Sequence, residues 1–390
     1  MPWRKVNPME ERVRFVLEHE TDLFSMTELC ERFGVSRKTG YQLVAAYAAG
    51  GVEGLAAWSR RLLHSLDQID STVVKAVLTW RRRHPGWGPK KLLWCLDQHE
   101  AQLWTRVRRP RVSTVARLLT QHGLTTTAPP PRRVWRQPAL ALAPSTAPNL
   151  IWTVDYKGEF RTGDARWCYP LTIMDSFSRY LLCCDGFLGP TTAVTRRAFE
   201  RVFAVYGLPD RIRSDNGTPF AGPGVGGLSP LSVWWMRLGI GLERIARGHP
   251  EQNGAHERMH RTLKAATARP PAAHRRAQQR RFARFLREYN DDRPHEALGQ
   301  QLPTAWYTPS ARAYPRRLPP LEYPGHLDVC RVAGHGDIYW RQRRLFVSES
   351  LAGEHLGLEE VDDGLWEVWF GSTVLARLDL RTWTLHPRPD

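Results

Sequence analysis

Asp155 closes an apolar run, Ile151-Trp152-Thr153-Val154, that reads as a strand, and Asp215 follows the short run Arg211-Ile212-Arg213-Ser214 ahead of the turn pair Asn216-Gly217. Glu257 stands one turn into a helical stretch that opens near Asn253, after the break Gly248-His249-Pro250. A carboxylate at a strand end followed by a turn is placed to project into a cleft. Three such groups offer the hard oxygen ligands that suit Mg²⁺, and they leave positions for water and a phosphate. Two such cations about 4 Å apart are what phosphodiester chemistry needs, one at the attacking oxygen and one at the leaving 3′ oxygen. Taken singly, each aspartate reads as a turn or cap residue and Glu257 as a salt-bridge partner. The set of three points to the chemistry.

The helix that carries Glu257 is basic. Arg261 and Lys264 follow it at i+4 and i+7, where they can hold DNA phosphates, and Arg258 is its neighbour. His260 reads either as a DNA contact or as a solvated helix residue. The same stretch spells His256-Glu257-Arg258-Met259-His260, the pattern in which two histidines one turn apart bind Zn²⁺ in a peptidase. That alternative lacks a third ligand and leaves Asp155 and Asp215 unexplained. A DNA-binding regulator with an inactive nuclease core is the other alternative.

Elements that must position these groups can be read along the chain. The 390 residues predict several domains, and the formal net charge of +17 makes nucleic acid the leading partner. Residues 1–58 read as a helix-turn-helix domain. Val13, Val16 and Leu17 mark a first helix, Met26, Leu29 and Phe33 a second, and Gly34 the turn. Ser36 caps a third, whose outer face would carry Arg37, Lys38 and Gln42 to the bases of DNA. Arg60 and Arg61 form a basic connector that could track phosphates. Residues 64–127 read as a second helix-turn-helix domain and 128–148 as a Pro-rich linker. From 149 to 300, three strands in succession and then strands with crossover helices describe a mixed sheet covered on both faces. A second linker, 301–325, leads to residues 326–390, expected to form a small all-β barrel in which Gly371-Ser372 turns a hairpin.

Six scattered cysteines with no C-x-x-C pair indicate neither a disulfide framework nor a zinc ribbon, and fit a reducing cytoplasm. No apolar run is long enough to span a membrane, and the first residues lack a signal-peptide core. No membrane partner and no small-molecule cofactor are expected.

Trp152-Thr153-Val154-Asp155, Ser214-Asp215-Asn216-Gly217-Thr218-Pro219-Phe220, His249-Pro250-Glu251-Gln252-Asn253-Gly254 with Glu257-Arg258 and Thr262-Leu263-Lys264, then Tyr289-Asn290 with Arg293-Pro294-His295, together resemble the integrase core of bacterial insertion-sequence transposases. That core is similar to the one in retroviral integrases. The resemblance implies a ribonuclease-H-like α/β core with a mixed five-stranded sheet, in which Asp155, Asp215 and Glu257 form the Asp-Asp-Glu triad. It implies two Mg²⁺ ions, for which Mn²⁺ may substitute, and a homo-oligomer, dimer or tetramer, on double-stranded DNA at the element ends and target. It further implies a bacterial, cytoplasmic protein associated with the nucleoid, which cleaves at the terminal inverted repeats and transfers strands into a target. The spacing departs from the family: residues 216 to 256 put 41 positions between Asp215 and Glu257, and the family's usual shorter interval ends at Glu251. Glu257 is chosen because it shares the Asn-Gly-x-x-Glu-Arg frame, whereas Glu251 precedes the helix in a Pro-bounded turn. The Gly-rich segment 222–227 is the expected place for the extra residues.

Overall fold

The computed structural model describes residues 8–56, 69–125, 142, 144–246 and 248–387. Arg60 and Arg61 and most of the 128–148 linker lie outside the described residues, as do the side chains of Pro250 and Glu251. The chain forms two compact units, Met1–Asp70 and Ser71–Asp390.

In the first unit, α1 (Pro8–Glu20), α2 (Met26–Arg32) and α3 (Arg37–Ala56) enclose Phe15, Val16, Leu29, Cys30, Leu43 and Leu55. Ser25 and Glu28 close a capping box at α2, with the Ser25 amide donating to Glu28 Oε2 at 2.8 Å. Gly34 takes φ +63° in the turn before α3, a conformation a side chain resists. A Cβ at Gly40 would stand 2.7 Å from Cys30 Sγ, so this glycine lets α3 approach α2 closely. Leu17, expected in the apolar stripe of α1, is instead 49% exposed. Gly50 and Gly51 break the helical geometry of α3.

The second unit begins with α4 (Ser71–Arg83), α5 (Pro89–His99) and α6 (Val112–Gln121), which bury Val73, Val77, Leu92, Leu93, Leu96, Val115 and Leu119. Next come β1 (Ile151–Tyr156), the two-residue β2 (Phe160–Arg161), β3 (Trp167–Asp175), β4 (Leu181–Phe187), α7 (Thr192–Tyr206), β5 (Arg211–Ser214), α8 (Pro230–Arg237), β6 (Gly241–Arg244), α9 (Gly254–Thr267) and α10 (Arg275–Arg287). The main sheet runs β4-β3-β1-β5-β6, with β2 added on β3. β1 is antiparallel to β3 and parallel to β5, and β5 is parallel to β6. This is the mixed sheet expected, with one short extra strand.

The pleat divides β1 and β3 between two cores. Trp152, Val154, Leu171 and Ile173 face Phe199, Phe203, Trp234 and Trp235 of α7 and α8, whereas Met174 packs with Leu181, Met259, Leu263, Phe282 and Phe285 on the α9–α10 side. Thr153 and Asp155 alternate with Trp152 and Val154, so they share the α9 face. A π-helical turn, Glu288–Asp292, ends α10 and buries Asn290, whose amide both accepts from Leu181 N at 2.8 Å and donates to Leu181 O at 2.9 Å. Those bonds fasten the α10 end to β4.

The C-terminal region holds β7 (Asp328–Arg331), β8 (Asp337–Trp340), β9 (Arg343–Phe346), β10 (His355–Asp362), β11 (Leu365–Phe370), β12 (Thr373–Asp379) and β13 (Thr384–Pro387). Gly371, at φ +57°, turns β11 into β12 as expected. The barrel expected here does not form. Among the described residues the sheet β13-β12-β11-β10-β7 is open, and β8 and β9 pair only with each other. Its apolar face is buried without closure, because Leu228 and Val233, beside and within α8, pack with Ile338, Leu345, Leu358, Val368 and Leu378.

Asn290→Ala leaves two buried main-chain groups of β4 without partners. It should lower the unfolding free energy of the second unit by about 2–4 kcal/mol. Urea denaturation followed by tryptophan fluorescence measures this, and an unchanged midpoint would refute the role of Asn290.

Candidate active site

Strand β1 ends by carrying Asp155 out of the sheet on the α9 face, and its Cα partner across β3 is Thr172. The next parallel strand, β5, delivers Asp215 just beyond Ser214. Asp215 Oδ1 accepts from the Gly217 amide at 3.1 Å, a turn that holds the carboxylate, and a Cβ on Gly217 would stand 3.1 Å from Asp215 Oδ2. Asn216 Nδ2 donates to Ile245 O at 2.8 Å and anchors the same turn beyond β6. The Arg213–Glu243 ion pair, 3.0 Å long and nearly buried, couples β5 to β6, and Arg213 Nη1 also donates to Gln252 O at 3.3 Å. That contact fixes the chain just ahead of α9.

Helix α9 lays His256, Met259, His260, Leu263 and Thr267 against the sheet and leaves Glu257, Arg258, Arg261 and Lys264 exposed. Glu251 lies in a 3-10 turn, Pro250–Asn253, before the helix. His260 is therefore neither solvated nor free to touch DNA. Its Nδ1 lies 3.5 Å from Asp155 Oδ2 and its Nε2 2.7 Å from Thr172 Oγ1. His256 Nε2 lies 2.6 Å from the same hydroxyl, and His256 Nδ1 lies 2.8 Å from Thr153 Oγ1.

All four ring nitrogens of the two histidines thus face groups of the fold, and the peptidase alternative, which needs two of them open to a metal, is set aside. Burial pushes His256 down to about 3, and burial first, with smaller pushes from the neighbouring His256 ring and Lys157, takes His260 down to about 2, so both are neutral. One proton ordering satisfies the whole chain with Asp155 ionised. Thr153 donates to His256 Nδ1, His256 Nε2–H to Thr172, Thr172 to His260 Nε2, and His260 Nδ1–H faces the carboxylate. With Asp155 protonated every step reverses, and Thr153 donates to Met174 O, 3.2 Å away.

Asp155, with its side chain 26% exposed, is pushed up to about 7. Burial is the largest cause and the charge of Asp215 the next; Lys157 opposes them, and Glu257 adds a smaller push in the same direction. The three carboxylates therefore share one field. Among the described residues, no three His, Cys, Asp or Glu side chains converge closely enough to cage a metal. The donor chemistry nevertheless fits a hard divalent cation: the acids after β1 and β5 and on α9 are all carboxylates, and a positive charge beside Asp155 would offset the push that Asp215 exerts on it.

The other candidates lie as follows. Ser36 accepts from the Thr39 amide at 3.2 Å and caps α3, where Arg37, Lys38 and Gln42 are exposed beside Tyr41, 60% exposed and absent from the sequence reading. Sequence reasoning also missed Thr153, Thr172 and His256 as partners of the acids. Their signal was present: threonines at alternate positions of apolar strands, and two histidines one helical turn apart.

An α/β core with this strand order, carrying acids at the ends of β1 and β5 and on the helix after β6, defines a protein with an integrase-type, ribonuclease-H-like core. Family models agree along the chain. Residues 11–62 match a helix-turn-helix domain, 145–250 and 238–303 match integrase core domains, and 327–386 match the IS481 family transposase C-terminal domain. The chain has the make-up of an insertion-sequence transposase with an integrase-type core. It is similar to an uncharacterized 31.7 kDa protein of insertion element IS407 from Burkholderia multivorans, 27% identical over 167 residues, 42% of this chain and 57% of that one. It is also similar to the Gag-Pol polyprotein of baboon endogenous virus, 30% identical over 129 residues, 33% of this chain and 7% of the polyprotein. The chain therefore spans little more than half of the first relative and a small part of the second. Among solved structures, a chain of the simian T-cell lymphotropic virus intasome in complex with PP2A regulatory subunit B56 gamma aligns over 68% of this chain and 90% of its own, at 16% identity and TM-score 0.37. The HTLV-2 integrase catalytic core in complex with magnesium aligns over 41% and 97%, at 17% identity and TM-score 0.32. No helix among the described residues is long and apolar enough to cross a membrane.

Thr172→Val removes the hydroxyl shared by both histidines and should cost about 1–3 kcal/mol of stability, read by chemical denaturation; no loss would mean the hydrogen-bond chain contributes nothing. A second expectation follows from Asp155, whose ordinary value is 3.8. The folded state binds the extra proton between about pH 4 and 7, so its contribution to stability falls as pH rises through that window. In chelator, Asp155→Asn should therefore stabilise the protein by about 2–4 kcal/mol at pH 8 and hardly at all at pH 4, and an equal effect at both would refute the assignment.

Proposed function

We propose that this protein is a DNA transposase that binds the terminal inverted repeats of a mobile element, cleaves at their ends and transfers the freed strands into target DNA. The observation that carries this reading is the Asp155 carboxyl, carried near the end of the central strand β1 in the field of Asp215 and Glu257. Asp155, Asp215 and Glu257 would hold two Mg²⁺ ions, or Mn²⁺ in their place. When bound, such ions neutralise charge on the reacting phosphate and make the attacking oxygen a better nucleophile.

The chain's own residues do the rest. Gly217 and Asn216 hold the Asp215 turn, and the His260–Thr172 contact orients Asp155. Exposed Arg258, Arg261 and Lys264 lie along α9 with Glu257 and would draw the DNA backbone to the acids. Water attacks phosphorus at the element end and a 3′ hydroxyl leaves; that hydroxyl then attacks a target phosphodiester, so one P–O bond forms for each that breaks. Ser36, Arg37, Lys38 and Gln42 are assigned to recognition of the repeats, with Arg60 and Arg61 on phosphates. Two ends and a target held together require a homo-oligomer, dimer or tetramer, acting on the DNA of a bacterial cytoplasm. The domain bounds 1–58, 64–127, 149–300 and 326–390 are those we assign to these tasks.

Labelled element-end DNA incubated with Mg²⁺ or Mn²⁺ should be nicked and joined by the wild-type protein. Asp155→Asn and Glu257→Gln should each lower the rate at least about 100-fold, while Glu251→Gln retains it. Binding without any cutting by the wild type would favour a DNA-binding regulator, and loss of activity in Glu251→Gln but not Glu257→Gln would move the third ligand.

A further inference from the structure

A second basic feature lies on the same helix but outside the acid site. Between α5, α9 and the turn after α10 runs an open cleft of about 420 Å³, lined by Lys91, Arg179, Arg258, Arg293, His295 and Glu296. None of Asp155, Asp215 and Glu257 lines it. Four basic side chains, three of them guanidiniums, therefore meet one carboxylate, and Glu296 is already taken by Lys90. Lys91 donates to the Pro294 carbonyl. Among the described residues, no carboxylate stands within ion-pair distance of Arg179, Arg258 or Arg293.

The cations are held in place despite their repulsion. Burial, and then the charge of Arg293, lowers Lys91 to about 8, and Arg179 is lowered by burial and, more weakly, by Arg258. His295, pushed down to about 3 and stacked edge-on against Tyr289 at 4.6 Å, adds no charge but stiffens the wall. Charged groups taken from water are normally paired within the fold. Asp175 acts on Arg179 and Glu288 on Arg293 without a direct ion pair, so an anion seated in the cleft would complete the pairing.

We propose that this cleft binds the phosphodiester backbone of duplex DNA, with Arg179, Arg258, Arg293 and Lys91 as phosphate contacts. Guanidiniums present paired N–H groups that match phosphate oxygens, and an open cleft admits a continuous strand. Arg258 follows Glu257 on α9, so the cleft and Glu257 occupy different faces of one helix. The inference deepens the transposase reading by naming a DNA contact of the core, separate from the helix-turn-helix unit. It also gives the Arg293-Pro294-His295 motif a task.

The test is binding alone, by fluorescence anisotropy with a labelled duplex and the full chain in chelator between roughly 50 and 200 mM salt. Arg179→Gln with Arg293→Gln should weaken binding about 10-fold or more at the low-salt end and reduce the salt slope by about 2. The control removes two cations already paired with acids, Arg196→Gln with Arg201→Gln, and should leave the slope within about 1 of the wild type. If the double cleft variant does not fold, the single variants Arg179→Gln and Arg293→Gln take its place, each with an expected loss of about 1 in slope. An unchanged slope in the cleft variant, or an equal loss in the control, overturns the proposal. So does a cleft that is stabilised against heat by inorganic phosphate while duplex affinity is the same in wild type and variant, since that describes a free-anion site. No cutting is measured, so a protein that binds here but never cleaves would sink the transposase reading and leave this one standing.

Discussion

The contact of α9 with the sheet, made through two neutral histidines and two threonines, is the constraint on which the site depends. Apolar packing of Met259 and Leu263 sets how deeply the helix sits. It does not by itself set rotation, because an apolar stripe tolerates small turns about the axis. The run Thr153–His256–Thr172–His260–Asp155 does, since a buried polar group displaced from its partner costs about 1–3 kcal/mol. With α9 locked this way, Glu257, Arg261 and Lys264 are fixed on the outward side, and Arg258 is turned towards the cationic cleft.

The sheet is the other half of that arrangement. Parallel pairing of β1 with β5 brings Asp155 and Asp215 to one edge, and Arg213–Glu243 carries the order on to β6 and to the entry of α9. The charge of Asp215 adds to burial in pushing the Asp155 carboxyl up, and the Gly217 amide holds Asp215 in its turn. Charges are concentrated in the same way in the cleft on another side of α9, where half-buried guanidiniums have no acid at ion-pair distance among the described residues. One helix thus divides a surface that gathers cations from one that gathers anions.

Much of the architecture was legible before any coordinates. Alternating apolar residues marked β1 and β3, Gly34 and Ser36 marked the turn into α3, and the Gly371-Ser372 pair marked the last hairpin, because each of these signals is local. The barrel was not legible, since the same alternation describes a strand in a closed sheet and one in an open sheet buried by a neighbouring helix. Leu228 and Val233 decided between them, and they lie about a hundred residues away in the chain. Leu17 shows the same limit on a smaller scale: its periodicity fits α1, but no neighbour covers it.

The sequence by itself determined which residue types could do the chemistry: three carboxylates at strand ends and on a basic helix, within a chain of high positive charge. Only the tertiary structure decided what surrounds them. His260 reads from the chain as a DNA contact or a solvated helix residue and is a buried partner of Asp155, and Arg293, which the chain shows only as part of a motif, shares a cleft with Arg179 and Arg258. The physical reason is that burial, hydrogen-bond partnership and electrostatic field are set by groups distant along the chain, and a single sequence records the spacing of neighbours but not the company that folding gives them.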